Sequence, residues 1–292
     1  MDGIINIFKN TGMSSFDAVR IVKRVAKTGK VGHTGTLDPE ASGVLPICIG
    51  KATKIIDYIM DSEKIYEVEL KLGFKTTTYD LEGEVLAEAD TSHLSEEDIM
   101  QAIMFFEKEY LQVPPMYSAL KQNGVRLYEL ARKGIEVERP GRRVVIKKID
   151  NVEINNPSVK MRVTCTKGTY IRSLCYDIGE KLNVYATMTA LKRSKTSVFT
   201  EECSVNIAEL TEENLSENLI SIEDALGSFE KLVINEGFEK LLINGVKLQD
   251  PRFTSQQVNE GELYRVYSSD NQFIGLGQKD NKSFKIIKLL LS

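Results

Sequence analysis

Alternation of hydrophobic and polar positions is clearest between residues 65 and 72. One face of this segment carries Tyr66, Val68, Leu70 and Leu72, and the other face carries mainly charged residues. Alternation with a period of two predicts a strand with one face in the core. Tyr66 would then point inward at the beginning of the strand. The pattern alone favours an ordinary core tyrosine at this position.

Helical spacing of apolar residues predicts several helices around such strands. A capping-box pattern of Ser14 and Asp17 begins the first helix, and Ser95 caps a later helix that runs to Glu107. The apolar face predicted for the first helix consists of Phe16, Val19, Val22, Val25 and Ala26. Further strands are predicted at residues 3–8, 83–89, 144–149, 160–166 and 188–191, and further helices at residues 52–60, at residues 126–133 and up to Leu182.

The last third of the chain changes in character. From about residue 203 it is acidic and helical in pattern, which predicts a connector. Residues 231–292 contain short strand patterns separated by turns. We therefore expect two domains, residues 1–229 and residues 230–292, the second a small β-barrel. Helices and runs of strands in these arrangements predict an α+β protein.

Composition indicates a protein of the cytoplasm. The 292 residues are 42% hydrophobic and 27% charged, which supports a sizeable core. No apolar run approaches the roughly 18 residues that cross a bilayer, and the N-terminus lacks the pattern of a signal peptide. The four cysteines form no C-x-x-C pair and the chain has two histidines, so a Cys/His zinc site is not expected. Reduced thiols are the simplest interpretation of these cysteines.

Positive charge is concentrated in two places, although the net charge of −4 argues mildly against nucleic acid. Residues 121–148 contain nine Lys or Arg and three Glu, and residues 20–30 contain five Lys or Arg. Each cluster alone is typical of a solvated face, but the two together favour a nucleic-acid groove. Aromatic and basic side chains interleave in residues 112–134. This mixture suits the binding of single-stranded RNA, in which aromatic rings stack on bases and cations bind phosphates. It equally suits an ordinary hairpin whose Lys and Arg side chains lie along its apolar surface with their charged ends in solvent.

Residues 32–46 hold the strongest candidate for a functional site. The segment contains three glycines and the Asp38-Pro39 step, and it runs directly into apolar residues. Pro39 fixes its own φ and drives Asp38 toward an extended conformation. A carboxylate at the tip of a loop that enters a buried strand is a common arrangement in active sites. An isolated Asp-Pro step, in contrast, more often only begins a turn.

Residues 167–172 (KGTYIR) connect a predicted strand to a predicted helix. Arg172 would lie in the first turn of that helix, where the helix dipole disfavours a cation. We therefore expect an anionic group nearby to compensate its charge. The alternative is a surface arginine whose stem packs on apolar neighbours.

Four separated stretches closely resemble the bacterial TruB family of tRNA pseudouridine synthases. They are residues 32–46, 113–124 (VPPMYSALKQNG), 167–172 (KGTYIR) and 191–193 (LKR). The tail resembles a PUA domain, which is an RNA-binding β-barrel. The resemblance implies a pseudouridine synthase fold, with a mixed and mainly antiparallel central sheet flanked by helices and loops. It also implies that residues 112–140 form a thumb segment that clamps the RNA.

By this resemblance the substrate is the uridine at position 55 of tRNA, in the T-loop, and the product is pseudouridine. The C1′–N1 bond breaks and C1′ bonds to C5, so no cofactor and no metal are implied. Asp38 is implied to be the catalytic carboxylate, either as a nucleophile at C1′ or as the base that removes a C2′ proton, and the sequence leaves both open. Arg172 is implied to pair with Asp38 and keep it ionised. Tyr66 is implied to stack on uracil and to be a candidate for helping to remove the C5 proton. The other implied substrate-binding residues are Tyr170 and Leu191, which line the uracil pocket, His33, which holds the opened loop, and Lys54, which contacts phosphate.

Two other classes of function compete with this interpretation. A tRNA-binding or tRNA-folding module would bind RNA without changing it, and Asp38 would only shape a turn. Such a folding role can also coexist with catalysis. A nucleotide-dependent enzyme would rest on Gly50-Lys51, but the glycine spacing is wrong and Ala52 replaces the Ser or Thr that holds magnesium. We expect a monomer that binds the T-arm of tRNA, with no membrane and no obligate protein partner.

Overall fold

Two sheets organise the chain in the computed structural model, which describes residues 1–291. In chain order the strands are β1 (Gly3–Lys9), β2 (Val31–His33), β3 (Ser42–Ile49), β4 (Lys64–Leu72), β5 (Phe74–Thr76), β6 (Val85–Glu88), β7 (Glu109–Gln112), β8 (Lys121–Gln122), β9 (Val125–Arg126), β10 (Arg142–Asn155), β11 (Ser158–Cys165), β12 (Ala186–Thr196), β13 (Phe199–Thr200), β14 (Val205–Asn206), β15 (Leu219–Ile220), β16 (Glu230–Val233), β17 (Leu263–Tyr267), β18 (Phe273–Lys279) and β19 (Phe284–Leu289). The α-helices are α1 (Ser15–Val25), α2 (Ile56–Met60), α3 (Glu96–Met104), α4 (Leu127–Ala131), α5 (Ile171–Leu182), α6 (Glu212–Glu217), α7 (Ile222–Ala225) and α8 (Glu239–Ile243). Short 3₁₀ turns lie at Gly50–Ile55, Glu201–Cys203, Ile207–Glu209 and Pro251–Phe253.

Within residues 1–291, eleven strands form the central sheet. Its main order is β14–β1–β3–β12–β4–β11–β10–β7, and β2, β13 and β15 pair with β3, β12 and β1. The β1–β14 and β3–β12 pairs are parallel, and the remaining pairs of this sheet are antiparallel. This confirms the α+β class and the mixed, mainly antiparallel sheet.

Strand β4 confirms the alternation read from the sequence. Tyr66, Val68, Leu70 and Leu72 are buried, whereas Glu67 on the opposite face is exposed. Because β4 pairs with β11 and β12, Tyr66 lies near the middle of the sheet. Helices α1, α3 and α5 supply the apolar side chains that cover this face. Each buried aliphatic side chain contributes about 1.5–3 kcal/mol to this core.

Helix α1 begins with the expected capping box, in which the Ser14 side chain accepts a hydrogen bond from the Asp17 backbone N–H. Its apolar face differs from the prediction at Phe16, which is 66% exposed. The Ser15 hydroxyl is bonded to the backbone of Leu37, and this contact turns Ser15 toward the protein and Phe16 away from it. The prediction for Phe16 was therefore wrong, because at 3.6 residues per turn Phe16 lies about 120° around the helix from the buried Val22, on the side of the basic residues.

The acidic segment after residue 203 is more than a connector. It contains β14 and β15, and both pair with β1 at one side of the central sheet. Helices α6 and α7 in this segment are short, and each begins with a side-chain cap from Thr211 or Ser221. These two helices confirm the helical pattern of the segment. The pairing with β1 was missed, because strands of two residues leave no alternation to detect.

The C-terminal residues form a second sheet with the order β16–β17–β18–β19. It has its own apolar core, which includes Leu232, Tyr264 and Phe284. Its other side packs on the back of the central sheet, where Leu276 and Leu290 join a shared apolar cluster with β1 and β3. The separate strand-rich unit is confirmed. The boundary after residue 229, the closure of a barrel and the likeness to a PUA domain stay predictions.

All four cysteines are free thiols. Three are buried, at Cys48, Cys165 and Cys175, and burial raises the pKa of the Cys48 and Cys165 thiols to about 12. Cys203 is exposed. Over residues 1–291, the helices include none with the length and apolar character that a membrane crossing requires.

Gly43 lets β3 and β12 approach each other. It has a φ of +111°, and a Cβ at this position would lie 2.2 Å from the carbonyl oxygen of Arg193. Gly43 and Arg193 are partners in the parallel register of the two strands. The loop that carries Asp38 enters β3, so this close approach fixes the loop beside β12.

We predict that Gly43→Ala destabilises the fold by about 3 kcal/mol, through backbone strain and the clash with Arg193. Gly261→Ala is the matched control, because Gly261 has a φ of +78° and no atom within 4 Å of the added Cβ. Denaturant unfolding of both variants measures the difference. Equal losses of stability would show that the close approach between the strands is not tight.

Candidate active site

The loop between β2 and β3 is held from both sides around Asp38. The Ser15 hydroxyl accepts a hydrogen bond from the Leu37 N–H at 2.8 Å and donates one to the Leu37 carbonyl at 3.0 Å. On the other side the Lys9 ammonium donates to the Pro39 carbonyl at 3.1 Å. Burial lowers the pKa of Lys9 to about 8. These contacts make Asp38 a carboxylate on a fixed backbone, as the glycine- and proline-rich sequence predicted.

Arg172 pairs with Asp38 through two parallel contacts. Its Nε lies 3.0 Å from Asp38 Oδ2, and its Nη2 lies 3.1 Å from Asp38 Oδ1. Two such contacts fix the carboxylate in direction as well as position. The Nη1 atom lies 3.3 Å from Asp80 Oδ2, so the guanidinium stands between two carboxylates. The structure thus confirms the anionic partner expected for Arg172.

The remaining donors of Arg172 bind backbone carbonyls. Nη1 donates to the Thr78 carbonyl at 3.3 Å and Nη2 donates to the Tyr117 carbonyl at 2.9 Å. The side chain is only 6% exposed. A buried charge requires such complete pairing, since an unpaired one would cost several kcal/mol.

Two opposing effects act on the Asp38 carboxyl. Burial raises its pKa above the ordinary value, and the nearby Asp80 carboxylate acts in the same direction. The charge of Arg172 lowers the pKa and opposes both. The net result is a raised pKa, so Arg172 limits a shift that burial would otherwise make larger.

A cavity of about 1150 Å³ opens over this pair. Among the residues that line it are Asp38, His33, Tyr66, Tyr170, Arg172 and Leu191. Six of the seven site residues named from the sequence therefore meet at one place. Burial lowers the pKa of His33, and its Nδ1 accepts a hydrogen bond from the Gly35 N–H at 3.2 Å. Burial raises the pKa of the Tyr66 hydroxyl, and the neighbouring Arg193 opposes this shift.

Lys54 is not part of this group. It lies exposed in the 3₁₀ turn Gly50–Ile55 and does not line the cavity. Its contact with phosphate stays a prediction.

Sequence reasoning missed two charged residues of the site. Asp80 was read as part of a polar loop, because nothing in the spacing links it to Arg172, 92 positions later in the chain. Arg193 is 1% exposed and donates to the Val44 carbonyl at 2.8 Å and the Gly35 carbonyl at 3.1 Å. It binds β12 to both ends of the Asp38 loop. The resemblance at residues 191–193 was the one signal that could have marked Arg193.

Gln112 is a third missed residue, and it holds Tyr170. Its Oε1 accepts from the Tyr170 N–H at 2.8 Å, and its Nε2 donates to the Tyr170 carbonyl at 3.1 Å. Ser173 adds a hydrogen bond of 2.8 Å to the Val113 carbonyl. The base of the thumb segment is thereby joined to the first turn of α5, which carries Arg172.

Solved structures with the same arrangement of strands and helices show what class of fold this is. A Cbf5–Nop10–Gar1 complex contains a chain that matches with a TM-score of 0.77 and 26% identity, over 98% of this chain and 84% of that chain. An H/ACA RNP bound to a substrate RNA containing 2′-deoxyuridine contains one that matches with a TM-score of 0.75 and 23% identity, over 99% and 85%. The chain therefore has the fold of a pseudouridine synthase. The carboxylate paired with Arg172 lines the cavity of this fold.

Sequence comparison defines the family. The model for TruB family pseudouridylate synthase (N terminal domain) matches residues 23–171, and that for the tRNA pseudouridylate synthase B C-terminal domain matches residues 172–233. The tRNA pseudouridine synthase B of Clostridium perfringens is 62% identical over 292 residues, which is 100% of this chain and 99% of the relative. That of Clostridium acetobutylicum is 53% identical over 99% of this chain and 100% of the relative. The chain belongs to the TruB family of pseudouridylate synthases, isomerases that convert uridine to pseudouridine in tRNA.

We predict that Gln112→Ala lowers the free energy of unfolding by about 1–3 kcal/mol, because it leaves the backbone N–H of Tyr170 without its partner and removes one of the two donors to the Tyr170 carbonyl. Pseudouridine formation should slow as well, since Tyr170 and Arg172 lose a fixed position. Gln101→Ala is the matched control, because Gln101 on α3 lines neither the cavity nor the thumb segment and its side chain makes one 3.2 Å bond, to Glu97 at the surface. Unfolding and single-turnover assays compare the two. Identical behaviour of both variants would contradict the role of Gln112.

Proposed function

We propose that the enzyme isomerises the uridine at position 55 of tRNA, in the T-loop, with Asp38 as the catalytic carboxylate. The observation that carries this proposal is the bidentate pair of Asp38 and Arg172 at the floor of the cavity. The pair aims one carboxylate into a space large enough for a nucleotide. The names of the relatives, tRNA pseudouridine synthase B, support tRNA as the substrate.

The chemistry follows from an ionised Asp38. The carboxylate either attacks C1′ and forms an ester or removes the C2′ proton and leaves a glycal, and in both routes uracil departs with the electron pair of the C1′–N1 bond. The released uracil turns. In the first route C5 bonds to C1′ as the ester C1′–O bond breaks and frees the Asp38 carboxylate. In the second route C5 bonds to C1′ as the proton held by Asp38 returns to C2′. The C5 proton then passes to solvent and N1 gains a proton, so atoms and electrons balance without a cofactor.

The other residues of the cavity have roles that fit their surroundings. Because burial raises the pKa of Tyr66, its hydroxyl stays protonated at neutral pH, which suits stacking on uracil better than proton removal. Tyr170 and Leu191 line the same space. A neutral His33 at the rim holds the loop after the target base has left the stack, a step that costs a few kcal/mol. Lys54 contacts phosphate outside the cavity.

Recognition of the RNA is proposed to involve both the cavity and the C-terminal unit. The T-arm enters between the thumb segment, residues 112–140, and the Asp38 loop. The C-terminal unit, residues 230–292, acts as a PUA-like RNA-binding domain. The enzyme acts in the cytoplasm as a monomer, and it needs no metal.

We predict that Asp38→Asn abolishes the reaction, with a loss of at least about 10³-fold, because neither route proceeds without the carboxylate. The assay uses an unmodified T-arm stem-loop RNA with tritium at uracil C5, mixed with protein and EDTA, and counts tritium released to water. Asp57→Asn, an exposed aspartate on α2, is the control and should release tritium normally. Binding of the RNA by the unchanged protein without release would leave a tRNA-binding module and overturn the proposal.

We predict that Arg172→Gln moves the acid limb of the pH–rate profile to higher pH. Arg172 lowers the pKa of Asp38, so its removal raises that pKa further and the carboxylate is protonated at a higher pH as pH falls. Arg162→Gln is the control, because Arg162 forms a similar pair with Asp150 at the surface. An acid limb that stays in place in a folded Arg172→Gln protein would contradict the assignment of Asp38.

A further inference from the structure

Phe16 stands exposed at the mouth of the active-site cavity, and the proposed mechanism does not use it. Its side chain is 66% exposed and lines the cavity with the Asp38 loop. The bonds between Ser15 and Leu37 fix its position relative to that loop. An aromatic face is thus held within reach of whatever strand delivers the target uridine to Asp38.

Helix α1 continues from Phe16 as a stripe of cations. Arg20, Lys23 and Arg24 are exposed and fall on the same side of the helix as Phe16, by the 3.6-residue period, and Lys27 is exposed just beyond the end of the helix. From Phe16 to Arg24 the stripe runs about 12 Å along the axis. Arg20 is paired with Asp17 and Lys27 with Glu212, whereas Lys23 and Arg24 form no ion pair within residues 1–291.

The opposite side of Asp38 is unsuited to a phosphate backbone. A second cavity of about 640 Å³ adjoins it, and carboxylates line much of this space. Its three cations are each paired with a carboxylate, at 2.9 Å for Lys192–Glu67, 3.4 Å for Lys160–Glu69 and 2.6 Å for Arg162–Asp150. Like charge on this side directs a polyanion toward the thumb and α1.

We propose that Phe16 is a stacking platform for a nucleobase of the RNA strand next to the target uridine, and that the cations of α1 bind the phosphates that follow. The inference rests on the proposed function and adds a subsite to it. The Arg20 guanidinium lies over one face of the phenyl ring, 5.8 Å from its centroid. A base stacks on the other face, and Arg20 is then held close to the next phosphate. Every base has a face that can stack, so this subsite holds the strand without selecting its sequence.

The test uses T-arm stem-loop RNAs with 2-aminopurine directly 5′ or 3′ of the target uridine. Single-turnover pseudouridine formation is measured as a function of protein concentration, together with 2-aminopurine fluorescence. Phe16→Ala should raise the half-saturating protein concentration roughly 5- to 100-fold, with a smaller effect on the maximal rate. It should also reduce the fluorescence change on binding for one of the two RNAs, and Phe16→Tyr should restore both.

Phe105→Ala is the matched control, because Phe105 is 46% exposed, has Lys108 and Lys181 over its ring and lines neither cavity. It should behave as the unchanged protein. Replacing Lys23 and Arg24 by Gln should lower the slope of log affinity against log salt, and replacing Lys108 and Lys181 by Gln should not.

The outcomes separate the subsite from the proposed function. If the unchanged protein forms no pseudouridine in the stem-loop, the proposed function fails. If it forms pseudouridine and a folded Phe16→Ala matches it in half-saturation and fluorescence, the platform is overturned and the function stands. A thermal unfolding midpoint for each variant distinguishes loss of the subsite from loss of the fold. If Phe16→Ala unfolds, Phe16→Leu replaces it in the test, because leucine keeps an apolar side chain without an aromatic face, and the same losses are expected.

Discussion

The buried guanidinium of Arg172 is the interaction on which the site depends. It sits in the first turn of α5, where the helix dipole disfavours a cation, and it is nearly inaccessible to water. Such a charge is stable only when carboxylates and carbonyls surround it. The groups that surround it come from three loops. They are the carboxylates of Asp38 and Asp80 and the backbone carbonyls of Thr78 and Tyr117. Pairing one charge therefore assembles the Asp38 loop, the loop before Asp80 and the thumb around a single point.

This arrangement explains which parts of the site could be predicted from the sequence. The Asp38 loop was recognisable because glycine and proline restrict its backbone, and Arg172 because a cation in a first helical turn requires an anion. Asp80 and Gln112 act through contacts with residues far along the chain, and a polar residue in a loop looks the same whether it faces solvent or a buried arginine. The pattern of hydrophobic and polar residues predicted which strands and helices form. Contacts between residues far apart in the chain determine which polar side chains meet in the site.

The fold was predictable where a period is long enough to read. Strand β4 alternates over nine residues, and its buried face was assigned correctly. The two-residue strands β14 and β15 have no period, so an acidic segment that completes the sheet looked like a connector. Phe16 shows the limit for helices. Its spacing from Val19 suggested the apolar face, but the same helical period places it beside the basic residues, and Ser15, bonded to Leu37, lies on the buried side instead.

The apolar cluster shared by the two sheets bears on how the chain can be divided for study. Ile4, Cys48 and Leu276 meet there with water excluded. Cutting the chain before β16 would expose the back of β1 and β3, and the truncated enzyme would tend to aggregate. A weak truncated enzyme would then say little about RNA contacts. The contribution of the C-terminal unit is better measured by replacing its surface side chains within the intact chain.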